Sequence, residues 1–266
     1  MVNKDPVVAL VLGAGSARGL AHIGILQVLE KYKIPINFMV GCSMGAMVAG
    51  IYASGTNLNL LEKMVENMNL NLLFDIRVPH MGFISGKRIE SFLDLLTKKK
   101  RFEDLPNPLY IVATDLLSGD QVILEEGKIT DAIRASISIP GIFRPITREG
   151  KVLVDGAVRQ RLPIEVARMK GADIVIAVDV TFGQGKQVNI RNTLDVILAS
   201  LDIMQKSQFD SSGALADIII QPAVSNFSPK DFNKAAELIE LGRIAALDRL
   251  DEIKGIINDF SNRSKT

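Results

Sequence analysis

Short apolar runs alternate along this chain with segments whose apolar residues recur at helical spacing. Runs rich in β-branched residues predict strands, because such side chains pack well on a pleated surface. The predicted strands are Val7–Leu12, Phe38–Cys42, Leu109–Asp115, Gln121–Leu124, Val152–Val154, Ile174–Val180 and Ile218–Ile220. Apolar residues at helical spacing predict helices, which are Leu20–Lys33, Met44–Ser54, Ile89–Thr97 and most of the chain after Lys230.

The alternation of strands and helices predicts a three-layer α/β fold with a mainly parallel central sheet. Ile174–Val180 is apolar at every position except Asp179, which is typical of a strand that helices cover on both faces. The sequence has neither an internal repeat nor a linker-like stretch. We therefore predict one domain over residues 1–266, with a core over about 7–222 and a helical part over about 230–260.

Composition and charge exclude several classes of function. The formal net charge of +1 provides no electrostatic basis for binding nucleic acid. Two histidines and one cysteine, without ligand-like spacing, predict neither a metal site nor a cofactor site. The single cysteine, Cys42, cannot form an internal disulfide. Together with the absence of a signal-like start or a membrane-spanning apolar stretch, it predicts a cytoplasmic protein.

One serine has the surroundings of a catalytic nucleophile. Gly41-Cys42-Ser43-Met44-Gly45 fits the G-x-S-x-G pattern, in which a sharp strand-to-helix turn exposes the serine hydroxyl. The usual base is a histidine that follows the serine and an acid in the chain. Only His22 and His80 are present, and no histidine follows position 80. A histidine-based triad is therefore disfavoured, and His22 is predicted to pack within the first helix.

A carboxylate is the remaining type of base for Ser43. Asp155 and Asp115 each end a predicted strand, so both can reach the same edge of the sheet. A carboxylate of ordinary pKa is a weak base, but apolar surroundings would raise its pKa towards neutrality. These considerations leave the choice between the two aspartates open.

A glycine-rich turn follows the first predicted strand. The turn Gly13-Ala14-Gly15-Ser16-Ala17-Arg18-Gly19 would direct backbone N–H groups at a pyrophosphate or at a developing oxyanion. Its spacing is one residue longer than the dinucleotide-binding fingerprint. The second strand ends in Gly41-Cys42-Ser43 and not in the acidic residue that would hold a ribose. The turn is therefore predicted to stabilise an oxyanion next to Ser43.

Four motifs in this order resemble those of the bacterial patatin-like phospholipases, the group that includes the lysophospholipase-type neuropathy target esterases. They are GAGSARG at 13–19, GCSMG at 41–45, ASISIPGIFRP at 135–145 and DGA at 155–157. The likeness spans about residues 7–180 and implies the fold predicted above. It further implies a serine–aspartate dyad without histidine, in which Ser43 is the nucleophile and Asp155 the base. The implied oxyanion hole consists of Gly13, Ala14 and Gly15. Arg18, the basic member of the loop, is implied to steady it or to contact a phosphate.

The resemblance implies a serine hydrolase that cleaves lipid acyl esters, of phospholipase A, lysophospholipase or carboxylesterase type. A lipid acyl ester is the implied substrate, a peripheral contact with membranes is implied as well, and no cofactor is needed. Two alternatives use the same fold. An acyltransferase would pass the acyl group to an alcohol or thiol, and a weakly active regulatory protein would keep the site with little turnover.

The chain departs from the family pattern at two places. Ala14 stands where the family usually has glycine, and Arg161-Leu162-Pro163 stands where it often has an asparagine shortly before the proline. The irregular segment between the second and third predicted helices contains the apolar stretches Leu72–Phe74 and Met81–Ile84. These stretches are predicted to line or cover the acyl site.

Overall fold

A computed structural model of the chain describes residues 5–68, 86–181, 190 and 193–263. Its strands are β1 (Val8–Leu12), β2 (Phe38–Cys42), β3 (Leu109–Asp115), β4 (Gln121–Leu124), β5 (Ile146–Arg148), β6 (Lys151–Asp155), β7 (Ile174–Val178) and β8 (Ile218–Ile220). Its α-helices are α1 (Ala21–Lys31), α2 (Met44–Ala53), α3 (Leu58–Asn67), α4 (Lys87–Leu96), α5 (Ile129–Ser136), α6 (Ile164–Met169), α7 (Thr193–Ser212), α8 (Ala235–Asp248) and α9 (Leu250–Arg263).

The strands join in one sheet of order β5-β6-β3-β2-β1-β7-β8, and β4 also pairs with β3. Strands β3, β2, β1, β7 and β8 run parallel to one another. Antiparallel pairs are confined to one side of the sheet, where β4 and β6 pair with β3 and β5 pairs with β6. The predicted α/β fold with a mainly parallel sheet is confirmed.

Side chains alternate between the two faces of the central strand β1, and both faces are buried. Val8, Leu10 and Leu12 belong to the larger apolar cluster, which includes residues of α1, α2, α5 and α8. Ala9 and Val11 belong to a second cluster that includes residues of α6. This two-sided burial is the reason why β1 reads as a continuous apolar run.

Four predicted strands (β2, β3, β4 and β8) have the predicted bounds. The strand predicted over Ile174–Val180 ends at Val178, since the Asp179 carboxylate accepts a hydrogen bond from Thr181 N at 2.9 Å and forms a turn. The helices α3, α5, α6 and α7 and the strand β5 were not predicted. β5 and α6 contain only 3 and 6 residues, too few for a periodic pattern to identify.

No helix in the ranges that the structure describes is long and apolar enough to cross a membrane. His80 and the two stretches predicted to line or cover the acyl site, Leu72–Phe74 and Met81–Ile84, lie outside the described residues.

Candidate active site

The carboxyl ends of β2 and β6 meet on the same strand, β3. The register places Cys42, the last residue of β2, opposite Val112. It places Asp155, the last residue of β6, opposite the next residue, Ala113. Because β2 is parallel to β3 and β6 is antiparallel, the two strands converge from opposite directions on this point of the sheet. Ser43, which follows Cys42, therefore lies beside Asp155.

Ser43 occupies a sharp turn between β2 and α2. Its backbone has φ 54° and ψ −120°, a region that non-glycine residues rarely adopt. The flanking glycines allow close packing, because a Cβ on Gly45 would lie 2.1 Å from the Leu12 carbonyl oxygen. The Ser43 hydroxyl donates a hydrogen bond to Asp155 Oδ2 at 2.6 Å, across 112 residues of sequence. This geometry matches that of a serine paired with its base.

Two serines of the ASISIPGIFRP motif hold this pair in position. The Ser136 hydroxyl accepts a hydrogen bond from Ser43 N at 2.8 Å and donates one to the Val112 carbonyl at 2.7 Å. The Ser138 carbonyl accepts a hydrogen bond from Asp155 N at 2.9 Å. The sequence reasoning assigned no role to either serine, since their contacts connect distant parts of the chain. The motif itself was the only signal.

The Asp155 carboxylate is only 2% exposed. Burial raises the pKa of Asp155 to about 6, although hydrogen bonds from Ser43 and Ala157 N and the charge of Arg161 each act to lower it. The Ala157 N–H donates to Oδ1 at 2.8 Å, which leaves Oδ2 for the serine. A carboxylate with this pKa is a stronger base than an exposed aspartate and is still mostly ionised at pH 7.

The second candidate base, Asp115, lies elsewhere and shapes a turn. Its carboxylate accepts hydrogen bonds from Val152 N at 3.0 Å and from Leu117 N at 3.2 Å, as well as from the Ser118 hydroxyl. These contacts join β3 to β6 and close the turn after β3. In the structure the Ser43 hydroxyl therefore bonds to Asp155, while Asp115 bonds to other groups. The sequence features alone left the choice between these two aspartates open.

His22 supports the glycine-rich turn from within the core. It is fully buried, and its Nε2 lies 2.8 Å from the Gly13 carbonyl, a contact in which the ring must donate. Burial lowers the pKa of His22 to about 4, so the ring is neutral near pH 7. Its position agrees with the predicted packing role.

Two of the three residues predicted to form the oxyanion hole have their N–H groups engaged in backbone hydrogen bonds. The N–H of Gly13 donates to the Val178 carbonyl at 3.1 Å, and that of Ala14 donates to the Arg161 carbonyl at 3.0 Å. Both groups are therefore engaged and cannot act as donors to an oxyanion in this conformation. Within the described ranges, the N–H groups of Gly15 and Ser16 have no acceptor, and both residues border the cavity next to Ser43.

A cavity of about 20 Å³ lies between Ser43, Asp155 and the glycine-rich turn. A volume of this size has room for about one water molecule. The remaining wall combines apolar and charged side chains from several elements, including Arg18, Ile139, Ala157, Arg161, Leu201 and Asp202. Ser43 and Asp155 therefore border a small cavity whose wall includes the glycine-rich turn and part of α7.

Arg18 lies in the wall of the cavity and is 4% exposed. Its Nε donates a hydrogen bond to the Phe227 carbonyl at 2.7 Å. Ala17 N and the Ser16 hydroxyl donate to the neighbouring Pro229 carbonyl at 3.1 and 2.7 Å. Arg18 thus steadies the glycine-rich turn against the segment after β8, and burial lowers its pKa.

A family model matches the part of this chain that contains Ser43 and Asp155, and several proteins of known sequence are similar to the chain. The family model described as patatin-like phospholipase matches residues 10–168. An uncharacterized NTE family protein of Mycobacterium tuberculosis is 36% identical over 181 residues, 67% of this chain and 50% of that protein. Patatin-like phospholipase domain-containing protein 7 of Rattus norvegicus is 31% identical over 198 residues, 71% of this chain and 14% of that protein. Lysophospholipase NTE1 of Scheffersomyces stipitis is 26% identical over 272 residues, 91% of this chain and 18% of that protein.

Solved structures share the fold at low sequence identity. VipD from Legionella pneumophila has a TM-score of 0.65 and 15% identity, covering 93% of this chain and 67% of that one. The type III effector ExoU of Pseudomonas aeruginosa has a TM-score of 0.53 and 12% identity, covering 94% of this chain and 53% of that one. The chain spans half of the mycobacterial relative's length and less than a fifth of the rat and yeast relatives'.

Proposed function

This chain belongs to the patatin-like phospholipase family, and from that membership we propose that it is a serine hydrolase that cleaves acyl esters of phospholipids or lysophospholipids. The observation that carries the proposal is the 2.6 Å hydrogen bond from the Ser43 hydroxyl to the buried Asp155 carboxylate. Ser43 is the proposed nucleophile and Asp155 the proposed general base.

In the proposed first half-reaction, Ser43 Oγ attacks the ester carbonyl carbon while Asp155 Oδ2 accepts the hydroxyl proton. The carbonyl oxygen becomes an oxyanion, for which the N–H groups of Gly15 and Ser16 are the proposed donors. The tetrahedral intermediate then breaks its bond to the leaving alcohol, which takes the proton from Asp155. The acyl group remains on Ser43 as an ester.

In the proposed second half-reaction, water takes the place of the departed alcohol. Asp155 removes a proton from the water as its oxygen attacks the acyl carbon of the Ser43 ester. The second intermediate releases the fatty acid, and the proton returns from Asp155 to Ser43 Oγ. One carboxylate can serve both steps because its pKa of about 6 allows it to accept and return a proton near pH 7.

Labelling and product analysis test the reaction class. The wild-type chain is mixed with a fluorophosphonate probe and, separately, with lysophosphatidylcholine and phosphatidylcholine. We expect covalent labelling at Ser43 and release of free fatty acid. Transfer of the acyl group to added glycerol in preference to water would instead support an acyltransferase. A folded protein that neither labels nor releases fatty acid would support the regulatory alternative and contradict the proposal.

The pH dependence of catalysis tests the role of Asp155 as base. Because the base must be ionised, kcat/KM is expected to decrease below pH 6 and to reach a plateau above about pH 7, with an apparent pKa of about 6. A soluble short-chain p-nitrophenyl ester, assayed from pH 4.5 to 8 with correction for spontaneous hydrolysis, provides the measurement. A kcat/KM that stays constant between pH 5 and 7 would contradict this role.

The proposed peripheral contact with membranes is supported by the outer face of α7. Ile203 and Met204 are 77% and 66% exposed, and α7 also contributes Leu201 and Asp202 to the cavity wall. A lipid surface that contacts this face would lie next to the site that must admit an acyl chain. Exposed apolar side chains that enter a bilayer each contribute about 1–3 kcal/mol when fully buried.

We therefore expect the double variant Ile203→Ser, Met204→Ser to lower the affinity for phospholipid vesicles by roughly thirtyfold or more. Turnover of the soluble ester should remain at the wild-type value. Leu117→Ser is the matched control, because Leu117 is 69% exposed and lies in the turn after β3. Equal vesicle co-sedimentation of wild type, control and double variant would contradict the assignment of this face.

A further inference from the structure

Arg161 stands at the place where the chain departs from the family pattern, and it borders the same cavity as Ser43 and Asp155. It is 7% exposed, an uncommon degree of burial for an arginine. Its backbone contacts two elements of the site, since its carbonyl accepts a hydrogen bond from Ala14 N at 3.0 Å and its N–H donates to Gln205 Oε1 at 3.3 Å.

The guanidinium of Arg161 extends these connections. Nη1 donates to the Thr181 hydroxyl at 3.0 Å, and that hydroxyl donates to the Ala14 carbonyl at 2.9 Å. Nη2 forms an ion pair with Asp202 Oδ1 of α7 at 2.5 Å. Both backbone polar groups of Ala14 are therefore held by one residue, directly through the Arg161 carbonyl and indirectly through Thr181. Gly15, which borders the cavity, follows immediately.

The charges around Asp155 come from several elements. Cys42 of β2 is buried and its pKa is raised well above the ordinary value, so the thiol is neutral. Arg18 of the glycine-rich turn and Asp202 of α7 border the same cavity, while His22 beneath the turn is neutral near pH 7. The positive charge of Arg161, which borders the same cavity, acts to lower the pKa of Asp155 against the effect of burial.

We propose that Arg161 is a positioning residue for the hydrolysis proposed above, which holds the glycine-rich turn beside Ser43 and maintains a positive charge next to the Asp155 carboxylate. Asp202 modulates the second effect, because its negative charge pairs with the guanidinium. This inference rests on the proposed function. A residue that only anchored α7 would stabilise the fold without affecting how Asp155 titrates.

Four variants separate the charge of Arg161 from its hydrogen bonds. Arg161→Met removes both and is expected to move the acidic limb of the kcat/KM profile up by about one pH unit, as well as to lower the plateau. Arg161→Lys keeps the charge and loses the planar guanidinium, so the limb stays in place while the plateau decreases. Thr181→Val breaks the contact to Ala14 and keeps the charge, with the same expected result. Asp202→Asn removes the compensating carboxylate and should move the limb to lower pH.

Each variant is assayed with the soluble p-nitrophenyl ester from pH 4.5 to 8, and kcat/KM is normalised to the folded fraction from thermal unfolding. Shifts of opposite sign in Arg161→Met and Asp202→Asn support the inference. If Arg161→Met does not fold, Arg161→Lys and Asp202→Asn decide. The inference is overturned if, with an active wild type, the acidic limb of Asp202→Asn lies at the wild-type pH and the plateau kcat/KM of Arg161→Lys equals that of the wild type. Failure of the proposed function would give a different result, because the wild type itself would then show neither fluorophosphonate labelling nor ester turnover.

Discussion

Replacement of Ser43 by alanine is expected to lower kcat/KM for ester hydrolysis by at least about 10³-fold. Ser43 Oγ is the atom that forms the proposed acyl-enzyme bond, and no other described hydroxyl donates to Asp155 Oδ2. Without it, only direct attack by water remains. Initial rates with lysophosphatidylcholine and with the soluble ester provide the measurement, and fluorophosphonate labelling of the same samples should disappear.

The Ser43→Ala variant is expected to keep its fold. Alanine and serine have similar backbone preferences at φ 54°, and Ser43 N can still donate to Ser136 Oγ after the change. Ser91→Ala, at an exposed serine of α4 whose hydroxyl bonds only within that helix, is the matched control and should retain wild-type activity. Retention of more than a tenth of the activity in a folded Ser43→Ala protein would refute the proposed nucleophile.

Replacement of Asp155 by asparagine is the second change with a large expected effect, a decrease of about 10³-fold or more in kcat/KM. The amide has nearly the same shape, so Oδ1 can still accept from Ala157 N while the amide group faces Ser43. It cannot accept a proton. The variant should therefore bind substrate but form acyl-enzyme slowly, which burst kinetics with the soluble ester would measure.

The stability of Asp155→Asn is expected to equal or exceed that of the wild type at neutral pH. The folded-state pKa of Asp155 is about 6, above the ordinary value of 3.8, so the folded protein favours the protonated form. Above pH 6, the wild type must bury an ionised carboxylate at a cost in free energy, and asparagine removes this cost. Below about pH 3 the carboxyl group is protonated in both the folded and the unfolded wild type, and this charge-dependent difference in stability should vanish.

Asp115→Asn is the matched control for this change, because it makes the same substitution at another strand end. Its carboxylate accepts from Val152 N and Leu117 N, so loss of its charge should lower the free energy of unfolding. Activity per folded molecule should remain near the wild-type value. If Asp115→Asn removed catalysis and Asp155→Asn did not, the assignment of the base would be reversed.

Local patterns predicted most of the sheet, because strand formation here depends on runs of apolar residues that remain buried on both faces. β2 and β3 have their predicted bounds for this reason. The helix α7 was not predicted, because its apolar residues do not fall on one side: Ile203 and Met204 are exposed while Leu201 borders the cavity. A helix of this kind lacks the periodicity that identifies amphipathic segments.

By itself, the sequence determined the turn that carries Ser43, because a strand, a glycine-flanked serine and a small-residue helix are local features. Family motifs singled out Asp155, whereas the residues alone could not separate it from Asp115. Only the tertiary structure decided which side chains meet. The pairing of β2 and β6 with consecutive residues of β3 brings Ser43 to Asp155. Long-range hydrogen bonds engage Gly13 and Ala14 and leave Gly15 to face the cavity, since such bonds depend on strand register and packing and not on local spacing.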